Sequence, residues 1–453
     1  MEVVWRGEAA FDDAAYRRIF NARRPDREPA AVAFPESDED VIEAVNLARM
    51  RGLQVTVRSG GHSWAAWSVR DDALLVDMGR MRSIEYEPDS GIAVVSPAVQ
   101  GGHELTPLLD RHGRMFPGGH CASVALGGFL LQGGQGWNSR HYGWGCESVI
   151  GIDAVTADGR LVHANETQNS DLLWAARGAG PGFFGVVVRF HLRTYRKPQM
   201  AHDTWTFALA DLEPLLEWMH DLLPRLERVV EPVIAASSLR GLPLREGVER
   251  PDGPLLLLHT TAIADSDEEM ARALAPFDSC PFADRALFHE RGPTSIVEEN
   301  EAQVAQNPDG YRYAVDCTWT DLGAAELAPL LRAMWSELDS EHSFSIWYGW
   351  APVGERPDMA FSVEGNVYVA TYAIWPDPDD DERYREWVHA RIGEIAAAGD
   401  GGVYLGDTDF TRRPDRFLSA ENFARLQELR AKWDPEGRFC SYLIKAAAEL
   451  NVR

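Results

Sequence analysis

The stretch "VRSGGHSWAAWS", residues 57–68, sets a histidine inside a Gly-Gly/Ser turn directly after the β-branched run "LQVTV" (53–57). Such a turn serves a backbone that must adopt positive φ or come close to something. Three chemistries compete for it. As a nucleophile elbow, G-x-S-x-G, Gly61-His62-Ser63-Trp64 starts correctly, but Ala65 stands where the last glycine would allow the sharp strand-to-helix turn. A dinucleotide fingerprint fares no better. "GAGPGFFG" (178–185) has the wrong glycine spacing and precedes a strand instead of opening a helix. The third is a backbone cradle for a large anionic cofactor outside the Rossmann fold, with two glycine-rich loops, 58–63 and 117–136, offering N–H groups to a diphosphate.

The flanking sequence is α/β. Residues 37–51, "SDEDVIEAVNLARMR", open on Ser/Asp caps and carry Val41, Ile42, Val45 and Ala48 at helical spacing, and Gly52 stops the helix. Strands follow at 53–57, 73–78 and 91–97, and a helix at 104–113. Two more strands occupy 148–164, turning at Asp158-Gly159, and another 185–195. Lys197-Pro198 marks a boundary, beyond which "LLLLHTTAI", "FSIWYGWAP" and "NVYVATYAIWP" predict an antiparallel sheet with helices between its strands. A last helix, 420–433, ends before Asp434-Pro435.

Composition narrows the function. A net charge of −26 over 453 residues disfavours nucleic acid and anionic membranes as partners. No run approaches a membrane span, and "MEVVWRGEAAFDDAAY" lacks the basic and apolar regions of a secretory leader. Five widely spaced cysteines without C-x-x-C form neither a disulfide framework nor a zinc site, so a cytoplasmic protein is expected. His103, His112 and His120 have no metal-ligand spacing, and no metal is expected. Cys146 reads as a packing residue.

Five blocks in order carry a resemblance. "VRSGGHSW", "GGHCASVALGGFLLQGGQGWNSRHYGWGCESV", "DLLWAARGAGPGFFGVVVRF" (171–190), "GNVYVATYAIW" (365–375) and "NFARLQELRAKWDPEGRF" (422–439) resemble the berberine-bridge-enzyme-like branch of the vanillyl-alcohol-oxidase, or PCMH-type, FAD-linked oxidases. The resemblance implies an α+β fold: a PCMH-type FAD domain of two α/β subdomains (1–200), and an inserted substrate domain on a helix-backed antiparallel sheet (201–400). A C-terminal segment (401–453) then returns to the FAD domain.

It also implies FAD bonded twice, through His62 to the 8α-methyl and through Cys121 to C6. Imidazole and thiolate are nucleophiles suited to an electron-poor ring. The other cofactor-binding positions it implies are Arg58, Ser59, Gly60, Gly61, Ser63, Gly118, Gly119, Val124, Gly127, Gly128, Gly133, Gly134, Gly136 and Val149, with Val124 leaving room for O₂. The sequence departs from the pattern at Ala125, where the family has glycine.

The implied reaction is hydride removal from an alcohol or similar C–H of a small molecule, a secondary metabolite before a carbohydrate, with O₂ reduced to H₂O₂. A monomer or homodimer is expected. The family's base position, just before the second tyrosine of the G-N-x-Y strand, is Thr371 here, which cannot serve. Tyr404, in the segment corresponding to Y-x-N, becomes the first candidate for base or anchor, ahead of Tyr442 and Tyr372. Gly406 replaces that segment's asparagine, and "CSYL" (440–443) the usual N-Q-S. A flavin-binding protein with little turnover, and a hydrolase using Ser63, are the alternatives.

Overall fold

Ser37 and Gly52 fix the first long helix. The Ser37 hydroxyl accepts from the Asp40 N–H at 3.2 Å, and Gly52 ends Asp38–Arg51 in the left-handed region at φ +68°. The buried face is Val41, Ala44, Val45 and Ala48, with Ile42 only partly buried. The computed structural model of the protein describes residues 1–238, 240–351 and 356–443.

This helix lies beside a four-stranded sheet in the order Glu2–Trp5, Ala31–Phe34, Leu74–Asp77, Val55–Arg58, in which the last two strands are parallel. A second, antiparallel sheet of five strands runs Ile84–Glu87, Ile92–Val95, Val186–Arg193, Val149–Val155, Leu161–Asn165. The helix expected at 104–113 is shorter, Thr106–Asp110, and is preceded by a single wide turn, Gly101–Leu105. Pro107 lies in its first turn, where it lacks only an N–H that would be unpaired anyway.

Beyond residue 198 the chain builds a seven-stranded antiparallel sheet. Its order is Phe288–Thr294, Gln199–Ala208, Leu255–Ala264, Val230–Ser237, Phe344–Gly349, Val367–Trp375, Arg312–Thr320. Alternation gives it two faces. Ile234, Leu258, Trp347 and Val369 share a core with Leu216, Met219, Leu331 and Ile392, from the helices Leu212–Leu222, Ala324–Trp335 and Asp381–Ala398. The other face looks toward the glycine loops.

Residues 403–443 then pack with the first two sheets. Tyr404, Phe410, Phe417, Leu426 and Tyr442 share a core with Trp67, Trp144 and Phe183. Phe439 pairs with Val55, and the Trp433 indole N–H donates to Asp171 at 2.9 Å. The α+β fold expected from the sequence holds. Among the described residues no helix is long and apolar enough to cross a membrane.

The opening stretch is anchored by charge. Arg58, level with Asp77 across the parallel pair, donates to its carboxylate at 2.7 and 2.9 Å and to the carbonyls of Ala14 and Ala15. Arg18 also binds Asp77. Asp77→Ala leaves a buried guanidinium without its counter-charge and is expected to cost about 3–5 kcal/mol of stability. A denaturant titration reads it, and a loss of under about 1 kcal/mol, the scale of a surface pair, would show that the pair does not hold this corner.

Candidate active site

The glycine loops and the free face of the seven-stranded sheet enclose a cavity of about 430 Å³. One wall comes from Val55–Ser63, Gly119–Cys121, Val124, Gly128 and Gln135. The opposite wall is read off the sheet register: Glu231, Val233 and Ala235 on one strand, Leu257, His259 and Thr261 on the next, then Phe344, Ile346, Tyr348 and Tyr372. Tyr404, Asp407 and Phe439–Ser441 close one side.

The opening turn is shaped by the protein itself. Gly61 has φ +86°, and a Cβ there would stand 1.7 Å from the Arg18 carbonyl oxygen. Gly60 is pressed against Ala125, 2.6 Å from where its Cβ would be. The two glycine loops thus touch each other, and the alanine that departs from the family pattern forms that contact. Phe20 finishes the clamp: its N–H donates to the Gly61 carbonyl at 3.0 Å and its ring stacks on His62 at 4.4 Å.

His62 faces the cavity with Nε2 3.1 Å from the Ser123 hydroxyl. Burial, helped by nearby His103, pushes its pKa down to about 4. At neutral pH it is therefore an uncharged imidazole. Cys121 faces the same space, and burial, with Asp407 nearby, pushes its thiol up to about 12.

Arg58 lines the cavity, but its guanidinium is committed to Asp77. The Ser63 hydroxyl accepts from the Trp67 N–H at 3.2 Å, and no helix follows it, so it has none of the setting of a nucleophile elbow. Ser59, Gly119, Val124 and Gly128 line the cavity. Six expected cofactor positions do not. Gly118 and Gly127 pack toward Gly101 and Ser59, Gly133 and Gly134 against Phe361 and Phe129, and Gly136 against the Pro117 carbonyl. The Val149 carbonyl accepts from Arg177. They build the layer behind the wall.

The three tyrosines separate. Tyr442 is a correction: its hydroxyl donates to the Ala179 carbonyl at 2.7 Å, its ring packs on Phe417, and it does not line the cavity. Tyr404 does, and its phenol oxygen accepts from the Gly134 and Gln135 N–H groups at 3.3 and 3.4 Å. Burial and nearby Asp407 raise its pKa despite those donors. Tyr372 also faces the cavity, and its hydroxyl donates to Asp407 at 2.8 Å. Thr371 points the other way, toward Ser345 and Met334, so no side chain at 371 would reach the cavity.

Asp407 went unrecognised in the sequence. It takes hydrogen bonds from Tyr372 and Tyr368 at 2.8 Å each and from the Trp64 indole at 2.9 Å. Burial pushes its pKa up against those three donors. A buried carboxylate so placed, on the cavity wall and hydrogen-bonded to Tyr372, has the chemistry to accept a proton.

Glu299, also unflagged, receives His259 at 2.9 Å, His202 at 3.2 Å and Thr294 at 2.7 Å. Burial would raise it, but these donors hold it well below the usual carboxylate range. His120, read as an ordinary polar residue, lines the cavity edge-on to Trp137 at 4.3 Å.

These walls suit a flavin. A side chain on Gly128 would meet no protein atom within 4 Å, so its surface is free for a ligand. The Gln135 side-chain nitrogen is buried without a partner among the described residues, and His62 supplies a neutral nucleophile. The cavity is thus equipped to hold a flavin.

Comparison with known proteins places it more closely. The FAD binding domain family matches residues 29–165. The FAD-linked oxidoreductase janO of Penicillium janthinellum is 34% identical over 445 residues, 97% of this chain and 96% of its own. The glucooligosaccharide oxidase of Sarocladium strictum is 33% identical over 211 residues, 45% of this chain and 42% of its own.

Three solved structures share the fold. 6-Hydroxy-D-nicotine oxidase of Arthrobacter nicotinovorans superposes with TM-score 0.83 at 23% identity, over 98% of this chain and 97% of that one. BBE-like 1 of Physcomitrella patens gives 0.80 at 18%, over 97% and 96%. A glucooligosaccharide oxidase of Acremonium strictum, described with a 6-S-cysteinyl, 8α-N1-histidyl FAD, gives 0.78 at 20%, over 98% and 96%. The chain belongs to the FAD-linked oxidoreductases, and its cofactor is FAD.

Proposed function

We propose that the protein is an oxidase of a largely apolar small molecule, a secondary metabolite rather than a carbohydrate, with His62 and Cys121 both bonded to the flavin. Bound FAD supplies the hydride acceptor and returns its electrons to O₂. The observation that carries the reading is the Asp407–Tyr372 hydrogen bond at the cavity wall. Tyr372 accepts the proton of a substrate hydroxyl while passing its own to Asp407, so no phenolate has to persist beside a buried carboxylate. Tyr404, held by two backbone N–H groups, anchors the substrate oxygen rather than acting as base.

The lining of the cavity favours an apolar substrate. The middle of the sheet wall is Val233, Ala235, Leu257 and Ile346, which offer no side-chain partner to a sugar's hydroxyls. Val124, in the second glycine loop, lines the cavity, and its short side chain fits the reading that O₂ reaches the flavin there. A reducing, cytoplasmic setting fits the unpaired thiols at Cys121, Cys146, Cys280, Cys317 and Cys440.

The test is a peroxidase-coupled screen of purified yellow protein. Apolar alcohols are expected to release H₂O₂, and gluco- and xylo-oligosaccharides to release none. Reduced enzyme that stays bleached in aerated buffer would exclude an oxidase, and turnover confined to oligosaccharides would overturn the substrate class.

A further inference from the structure

We propose that Glu231 is a substrate-recognition residue that binds a cationic nitrogen, so that the preferred substrate carries a protonated amine remote from the carbon oxidised. This rests on the oxidase reading above. Glu231 is the second residue of the strand Val230–Ser237, whose alternation sends Val230, Ile234 and Ala236 to the helix-backed core and Glu231, Val233 and Ala235 to the cavity. A carboxylate is thereby fixed on the cavity wall, level with Thr261 and followed along its own strand by the apolar Val233 and Ala235.

The group is buried, 2% exposed, and its Oε2 has no hydrogen-bond partner among the described residues. A buried polar atom in that state calls for an explanation. The nearby cations do not provide one. Arg140 directs its guanidinium to the carbonyls of Trp350 and Val230, and the His120 Nε2 stands 3.9 Å from Oε1, beyond hydrogen-bond reach. Glu299 on the same wall is fully engaged by His202, His259 and Thr294, so Glu231 is the acceptor left for a ligand.

The surroundings match an ammonium group. The Tyr348 hydroxyl, buried beside Glu231, and the Trp137 ring also face the cavity. Aromatic faces beside a carboxylate are the usual recognition chemistry for an alkylammonium ion. The register sets the distance to the reaction. Glu231 lies six residues along its strand from Ser237, which is level with Phe344 and hence with Tyr372. The nitrogen and the oxidised carbon therefore sit at opposite ends of the apolar strip.

Calorimetric titration of the flavin-loaded protein with phenethylamine, 2-phenylethanol and phenylacetate presents one skeleton as cation, neutral molecule and anion. The cation is expected to bind at least tenfold more tightly than the alcohol, and the anion more weakly than either. Glu231→Gln, with flavin content unchanged, should bring the amine to the level of the alcohol. Equal binding of amine and alcohol by wild type overturns the proposal whether or not the variant folds, and so does a preference that survives Glu231→Gln. Heat is read without turnover. A protein that releases no H₂O₂ yet shows the preference defeats the oxidase reading alone, while charge-blind binding in an active oxidase defeats only this subsite.

Discussion

After precipitation with trichloroacetic acid, the wild-type protein is expected to retain its flavin in the pellet, and the His62→Ala/Cys121→Ala double variant to leave it all in the supernatant. Acid removes the fold and every non-covalent contact with it, so only bonds to side chains keep the cofactor. Each single variant should retain flavin through the other tether, with a different spectrum where the sulfur is missing. The two bonds should differ in rate. His62 is neutral at pH 7 because its pKa is pushed down to about 4. The Cys121 thiol, pushed up by burial, is almost wholly protonated at pH 7. In His62→Ala, retention should therefore build up slowly and faster as the pH is raised. If His62→Ala alone frees all the flavin and Cys121→Ala leaves the spectrum unchanged, there is one tether and Cys121 is a packing residue.

Asp407→Asn is expected to slow substrate-driven bleaching of the flavin by about 10²–10⁴-fold, the usual worth of a general base. The amide keeps the shape and can still meet Trp64 and the tyrosines, but it cannot take up the proton from Tyr372. Tyr372→Phe should fall in the same range, whereas Tyr368→Phe, which removes one of three donors to Asp407, should cost far less. The pH profile gives the sign. Activity requires the carboxylate, and burial raises its pKa, so kcat/KM should climb along an acid limb above the ordinary aspartate range near pH 4. Asp407→Asn should abolish that limb. Stopped-flow spectroscopy measures both effects, and a variant that bleaches within threefold of wild type would remove Asp407 from the proton path.

What could be read in advance depended on how local the determinant was. The caps at Ser37 and Gly52, the glycine loops and the alternating strands are written within a few neighbouring residues, and the fold class followed from them. Asp407 was missed although it lies three residues from Tyr404, because its meaning comes from Tyr368 and Tyr372, brought to it by a separate strand. Tyr442 misled for the converse reason. Its position invited a chemical role, but the Ala179 carbonyl, far away in sequence, takes its hydroxyl. The glycines were read as making room for the cofactor, whereas most make room for the protein, Gly60 for Ala125 and Gly61 for Arg18. Glu231 carried one signal, a lone acid in the apolar strand "VEPVIAAS", which acquires a role only once the register shows which face it occupies.

The pairing of Phe439 with Val55 bears on the order of events during synthesis. On the ribosome, His62 and Cys121 emerge in the first third of the described chain, but the side of the cavity formed by Tyr404, Asp407 and Phe439–Ser441 emerges last. A nascent protein thus holds both prospective attachment points on an open trough, and the edge of its first sheet at Val55 waits for a partner some 380 residues downstream. Closure of the cavity around the cofactor consequently waits for the last part of its wall to be made. A chain stalled or truncated before Tyr404 would present the glycine loops without the enclosure that brings the flavin to them.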